Sequence, residues 1–472
     1  MDPGEAFQQL LIGAQVVEHE LLLFASFWFI LGAIDDLAVD AVWAWLWLTG
    51  RRRDGRLSED EATRPLAGKA AVLIACWQEH DVIGHTIRHA LRAWRQRGFI
   101  LYIGCYANDP ATLAAAMEAA GDDDRVRLVI NSKPGPTTKA DCLNALYAAL
   151  GQDEQRRRMR YKAIILHDSE DMVHPAELAV IDKGLGHADF VQLPVRPEPQ
   201  PDSPWVAGHY SEEFTESHAK ALVVRDALGA GIPAAGVGCG FARDALARIA
   251  RDRQELGEGG PFASACLTED YELGLIVSRE GRGARFIRMR DHDGNLVATR
   301  SYFPSTMEDA VRQKTRWIHG IALQGWDRLG WNPRPCELWM ALRDRRGPLT
   351  AVVLAAGYML VVVVGLLGVA RLAGWEGGIA TSPALRIMLW ICFLAFVWRA
   401  IWRFAFMARE YGINEGLRSV MRIPVANVIA IMAGRRALAS YVATLRGTAV
   451  RWDKTSHAGH PSVATSAGSG RR

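Results

Sequence analysis

Asp168, Glu170 and Asp171 fall within four positions in the run "HDSEDMVHP", directly after the apolar Ala163, Ile164, Ile165 and Leu166. Carboxylates repel one another and rarely gather unless a cation joins them. One reading is a solvated turn that caps the next helix, with Pro175 near its first turn. The other is a metal site at the carboxyl end of a parallel strand. The surrounding elements must decide between the two.

Five short, mostly apolar runs read as strands: "AAVLIACW" (70–77), "GFILYIGCY" (98–106), "RVRLVIN" (125–131), "KAIILHD" (162–168) and "DFVQLPV" (189–195). Helical patterns separate them: "VIGHTIRHALRAWRQ", "ATLAAAMEAAG" and "KADCLNALYAALG". Such alternation predicts an α/β domain with a mainly parallel sheet covered on both faces, and ligands there bind beyond the carboxyl ends of the strands. Gln78-Glu79, Asn108-Asp109, the stretch 133–141 and the acidic run at 168–171 all stand at those ends. Their convergence on one rim favours the metal reading. A hard ion, Mg2+ or Mn2+, prefers carboxylate oxygens and brings substrate phosphates with it. The chain has no GxxxxGK[ST] loop and no strand–GxGxxG–helix unit, while "GVGCG" (236–240) comes late in the segment. Lys139 and Arg316 are candidate phosphate partners or ordinary surface cations. A diphosphate held by carboxylate-bound metal without a Walker loop points to sugar-nucleotide chemistry.

These elements must be held near a membrane. Residues 349–370 form a 22-residue run without a charge, about 33 Å of helix, enough to cross the hydrocarbon core. A second candidate span covers 379–398, with Arg386 placed to snorkel. A third covers 10–34; Glu18, His19 and Glu20 break it, and Asp35-Asp36 are expected to stop it. It lacks a basic leading region and a cleavage site, so it reads as an anchor. Arginines in "RRRDGR", "RDRR" and at 399, 403 and 409 put 51–348 and the C-terminus in the cytoplasm, with the N-terminus outside. Trp43, Trp45 and Trp47 sit where an interfacial aromatic belt is expected. A net charge of +3 gives no nucleic-acid footprint. The seven cysteines include no close pair, so reduced thiols are expected. The division expected is an anchor (1–50), a cytoplasmic domain (51–348), two spans (349–407), a cytoplasmic or interfacial helical segment (408–455) and a disordered tail (456–472).

Four ordered pieces carry a resemblance: "IACWQEHDVI", "LHDSEDMVHP", "LTEDYELG" (267–274) and "FPSTMEDAVRQKTRWIHG" (303–320). Together they resemble the membrane-bound, inverting glycosyltransferases of family 2, which include cellulose and hyaluronan synthases. "IDDLAVD" and the C-terminal "YGINEGLRSVMRIPVANVIAIMAGRRALASY…WDKTSH" further resemble the bacteriophage-adsorption protein B group of inner-membrane glycosyltransferases. The resemblance implies a GT-A-type fold with about three transmembrane helices and interfacial amphipathic helices. It implies a nucleotide-sugar donor, of the UDP-sugar type, and a glycan or lipid acceptor. An export partner in the periplasm or outer membrane would complete a surface polysaccharide pathway.

Carried over, Asp168 and Glu170 would hold the metal, with Asp171 as a substitute ligand. Glu79 and Asp109 would line the nucleoside pocket, and Lys139 would sit near the diphosphate. Asp270 would be the general base, with Glu269 beside it. Gln313, Arg316 and Trp317 match the Q-x-x-R-W spacing of processive members; Arg316 would meet the diphosphate and Trp317 would stack on the acceptor. Trp317 as core and Glu269-Asp270 as a helix cap remain open, as do single-sugar transfer to a lipid and a catalytically silent scaffold.

Overall fold

A computed structural model describes residues 3–51, 54–379, 381–448 and 459–462. The chain opens with one 46-residue helix, α1 (Pro3–Leu48), before the sheet begins. Seven strands form the main sheet: β1 (Ala70–Ala75), β2 (Phe99–Tyr106), β3 (Val126–Asn131), β4 (Ala163–His167), β5 (Phe190–Gln192), β6 (Cys239–Ala242) and β7 (Ala284–Phe286). Their spatial order is β3-β2-β1-β4-β6-β5-β7. Every pairing is parallel except those of β6, which runs antiparallel to both β4 and β5. All eight residues of β2 are buried, as expected of a strand covered on both faces.

The five expected strands all form. β6 and β7 escaped the pattern because they are four and three residues long, too short to show a period. β6 overlaps the end of the "GVGCG" run (236–240), whose glycines read as a late dinucleotide signal. Gly240 leaves room there for Ile181: a Cβ would come within 2.3 Å of that side chain.

Helices α2 (Ile83–Ala93), α3 (Pro110–Ala120) and α4 (Lys139–Arg157) follow β1, β2 and β3. α4 starts in a capping box, with Thr138 and Asp141 each accepting from the other's backbone N–H. This fixes where Lys139 leaves the helix. Further along lie α5 (Val206–Glu216), α6 (Glu269–Arg279) and α7 (Met307–Trp317). A π-helical turn, Ile318–Gln324, continues α7.

Three long helices complete the described chain: α8 (Gly347–Leu372), α9 (Pro383–Tyr411) and α10 (Ile423–Leu445). With α1, these make four described helices long and apolar enough to cross a membrane. The sequence reading counted three; the fourth is α10. It packs on the α/β domain along its length. Ile429 and Ala433 are buried with Tyr210, Ala310 and Val311, and the Tyr441 hydroxyl donates to Asp327 at 2.8 Å.

Asp35 and Asp36 do not stop α1, contrary to expectation. Arg346 meets Asp35 at 2.7 Å and Asp36 at 3.2 Å, Arg343 pairs with both, and Trp339 Nε1 donates to Asp35 at 2.6 Å. With those charges compensated, the helix runs about 69 Å, roughly twice the hydrocarbon thickness. Its last turns dock Val39, Trp43 and Leu46 against Ala219, Val224 and Phe406. Trp43 is therefore not a belt residue: it is 9% exposed and donates to the Ala219 carbonyl at 2.9 Å. Trp45 and Trp47 remain exposed.

The tail expected to be disordered lies outside the described residues except at 459–462. There His460 is buried, with its Nε2 3.1 Å from the Asp171 carbonyl oxygen.

Trp43→Ala removes the hydrogen bond and the edge contacts to Trp402 and Phe406. The cost expected is about 3–5 kcal/mol, read as a lower unfolding midpoint of detergent-purified protein. An unchanged midpoint would show that the end of α1 is not part of the folded core.

Candidate active site

A cleft of ≈ 1180 Å³, open mouth included, lies at the carboxyl ends of β1, β2 and β4. Its first wall is the chain after β1. Gln78 adopts φ +54°, a left-handed turn that a non-glycine residue takes only when held. Asp109 holds it: one carboxylate oxygen accepts from Gln78 N–H at 2.6 Å, and the other caps α3 at Thr112. Glu79 N–H donates to the Thr112 hydroxyl at 2.8 Å. Glu79 lines the cleft, and Asp109 does not. Asp109 fixes the turn behind this wall of the cleft instead of lining it.

Two aromatic residues that the sequence reading did not select form that wall. Trp77 meets Tyr106 edge to face, with centroids 5.1 Å apart. Gly135 packs so closely that a Cβ would come within 2.2 Å of the Trp77 ring. The signal available was position: Trp77 directly precedes Gln78-Glu79 at a strand end.

The acidic run divides. Asp168 and Glu170 line the cleft, Asp168 paired with Lys139 Nζ and Glu170 accepting from Ser169 Oγ at 3.0 Å. Asp171 also borders the cleft, but its side chain is 1% exposed and turned toward His167. Its Oδ2 accepts from the Asp168 backbone N–H at 2.9 Å and lies 2.9 Å from His167 Nδ1. His167 Nε2 lies 2.6 Å from Glu177 on its other side. Burial works against charge on His167, yet Glu177 and Asp171 raise it to about 10. The third carboxylate of the run is thus balanced by an internal histidine.

Lys139 is the hub. Burial opposes its charge, but Asp168, Glu269 and Asp270 together hold it protonated, well above the ordinary lysine value. Gly236, at φ +77°, lets the backbone pass close to this group: a Cβ there would lie 2.3 Å from Asp270 Oδ2 and 3.4 Å from Lys139 Nζ. The late glycine run serves close approach here, and no dinucleotide turn forms.

Glu269 and Asp270 open α6. Leu267 N–H donates to Gln324 at 3.1 Å, and Gly320 lies so near Thr268 that a Cβ would reach its hydroxyl at 2.5 Å. The turn after α7 therefore braces this loop. Burial raises Asp270, with Lys139 opposing, and pushes Glu269 up to about 7 with the Asp270 charge adding to it. From α7, Gln313, Arg316 and Trp317 line the cleft, and Arg316 acts electrostatically on both carboxylates. Trp317 is half-buried, its ring edge to face with Tyr210 and Phe214 at 6.0 and 6.1 Å.

Among the described residues, no three His, Cys, Asp or Glu side chains form a metal cage by themselves. Asp168 and Glu170 offer two hard oxygen donors beside a phosphate-sized space. That fits an ion that keeps one or two protein carboxylates and takes its other ligands from phosphate and water.

Comparison with known proteins agrees with this architecture. The family profile described as "Glycosyltransferase like family 2" matches residues 67–320. Bacteriophage adsorption protein B of Escherichia coli (strain K12) and bacteriophage N4 adsorption protein B of Escherichia coli O157:H7 are each 32% identical over 96% of this chain. The chain spans 63% of the length of each of these curated relatives. A mannosyltransferase from Pyrobaculum calidifontis, solved in complex with GDP-Man and Mn2+, shares the fold with a TM-score of 0.52. It is 13% identical, over 90% of this chain and 99% of that one. The fold is GT-A-like, with the mainly parallel sheet expected from the sequence.

Glu269 provides a test of the buried charge. Its carboxyl titrates near 4.5 when exposed and near 7 when folded, so over that window the folded state holds a proton that the unfolded chain has lost. Stability from this group is full below pH 4.5 and declines as pH rises toward 7. Glu269→Gln abolishes that decline. The unfolding midpoint of the variant relative to the parent protein should rise between pH 5 and pH 8; a constant difference would refute the buried pairing.

Proposed function

The chain belongs to glycosyltransferase family 2, and from that premise we propose that it transfers a sugar, with inversion, from a nucleotide-sugar donor of the UDP-sugar type to a glycan at the membrane. The observation that carries this reading is the meeting of Lys139, Asp168, Glu269, Asp270 and Arg316 in one cleft at the strand ends. A silent scaffold has no use for such a costly group of charges.

The nucleoside enters beside Trp77, Glu79 and Tyr106, which leaves the diphosphate near Lys139 and Arg316. Asp168 and Glu170 hold Mg2+ or Mn2+, which when bound supplies positive charge to the leaving diphosphate. Asp270 takes the proton from an acceptor hydroxyl as that oxygen attacks the anomeric carbon. The bond from this carbon to the diphosphate oxygen breaks, and the configuration inverts. The raised Asp270 carboxyl suits a base working nearer neutrality. Glu269 keeps Lys139 charged and in place. Gln313 and Trp317 face the acceptor side, and a half-buried ring there favours a growing glycan over a single-sugar lipid product.

The four apolar helices and the flanking arginines support a bacterial inner-membrane protein with its domain in the cytoplasm. α10 lies along the domain boundary in this topology. Export of the polysaccharide would then use a periplasmic or outer-membrane partner, and a role of the product in phage adsorption is supported by the similarity to proteins named phage adsorption protein B.

Membranes containing the protein, incubated with labelled UDP- and GDP-sugars, should yield a sized polymer. EDTA should abolish it and added Mg2+ or Mn2+ restore it; full turnover without metal would remove Asp168 and Glu170 from that role. Asp270→Asn should lower transfer by about 100- to 10,000-fold while nucleotide affinity is kept. Near-normal yield from that variant would refute Asp270 as the base.

A further inference from the structure

The run that supplies Asp168 and Glu170 also contains a charged group that the chemistry above leaves unused. His167, Asp171 and Glu177 are 1%, 1% and 0% exposed. The ring nitrogens each face a carboxylate, Nδ1 toward Asp171 at 2.9 Å and Nε2 toward Glu177 at 2.6 Å. The same Asp171 oxygen also accepts the Asp168 backbone N–H. Glu177 is anchored in turn: its Oε2 accepts from His174 N–H and from the Thr299 hydroxyl, each at 3.3 Å. Gly238 leaves space for that hydroxyl, since a Cβ would approach it at 2.4 Å.

Resting on the donor-binding reading, we propose that His167 is a positioning residue that orients Asp171 so that Asp171 grips the Asp168 amide and aims Asp168 and Glu170 at the metal-bound diphosphate. Asp171 is then part of the brace and not a metal ligand. Apolar residues would fill this volume at no loss of stability, since buried ion pairs are often replaceable by well-packed hydrophobic side chains. What apolar contacts lack is direction. One oxygen shared by a ring nitrogen and a backbone N–H fixes both the loop's turn and the bearing of the next side chain. Supports behind metal ligands typically change affinity by about 10- to 100-fold when lost.

The geometry makes the two nitrogens separable. An Asn side chain places its amide near the Nδ1 position, and a Gln side chain reaches the Nε2 position. Both are compared on the full-length protein in a Glu177→Gln background, which removes the surplus buried charge. The readouts are binding of UDP and GDP with and without Mn2+, the KM and kcat of transfer, and the unfolding midpoint. His167→Asn should keep Mn2+-dependent nucleotide affinity, while His167→Gln should lose about tenfold or more at a similar midpoint, with metal-free nucleotide binding unchanged and KM raised more than kcat is lowered. Equal affinity in the two variants overturns the proposal, whether both bind or both fail. Asp171→Asn, which keeps an acceptor oxygen but loses the charge, covers the case of a variant that does not fold. Retained Mn2+-dependent affinity supports the brace, and a tenfold loss means that Asp171 is a ligand and overturns it. If the parent protein binds neither nucleotide under any condition, the donor-binding reading fails first and takes this one with it; a parent that binds, with variants unaffected, fails the positioning role alone.

Discussion

One largely enclosed ammonium organises the cleft. Lys139 stands among Asp168, Glu269 and Asp270, and none of these carboxylates could stay charged and enclosed without it. The capping box at Thr138 and Asp141 fixes the start of α4, and Gly236 permits the backbone approach that brings Asp270 near. The same cluster explains why three separate loops, after β3, after β4 and before α6, must end within a few ångströms of each other.

A second charge layer joins this site to the membrane helices. Asp35 and Asp36 on α1 meet Arg343 and Arg346, which immediately precede α8, and Arg399 on α9 reaches Asp36 at 3.5 Å. Glu212 on α5 meets Arg403 of α9 and the buried Arg422 at 2.6 and 2.9 Å. α5 also carries Phe214, which lines the cleft against Trp317. The apolar helices and the Trp317 side of the cleft are thus parts of one packed body, tied by pairs that are partly or fully buried and less open to salt screening than surface pairs.

The acidic run shows how one sequence feature can answer two demands. Its repulsion does need cations, and the chain itself supplies two. Lys139 meets Asp168, His167 meets Asp171, and Asp168 and Glu170 still line the cleft. Counting carboxylates by spacing could not separate these fates, because side chains two or three positions apart in a loop can face opposite ways.

The sequence alone determined the parts whose physics is local. Continuous apolar runs marked five strands, their polar ends marked one rim, and apolar length marked three of the four long helices described. Glu79, Lys139, Asp168, Glu170, Glu269, Asp270, Gln313, Arg316 and Trp317 were all placed at one site, and all line the cleft. What only tertiary structure decided were the partners. Asp109 became the clamp on Gln78, Asp171 turned to His167, and Trp43 left the expected belt for the domain core. Asp35-Asp36 reads as a helix stop until Arg343 and Arg346, some three hundred positions away, compensate it. β6 and β7 are strands only because neighbours on the sheet supply their hydrogen bonds, and three or four residues carry too little pattern to announce that. The fate of a charge or a short strand depends on who stands opposite, and one linear chain read alone does not state that.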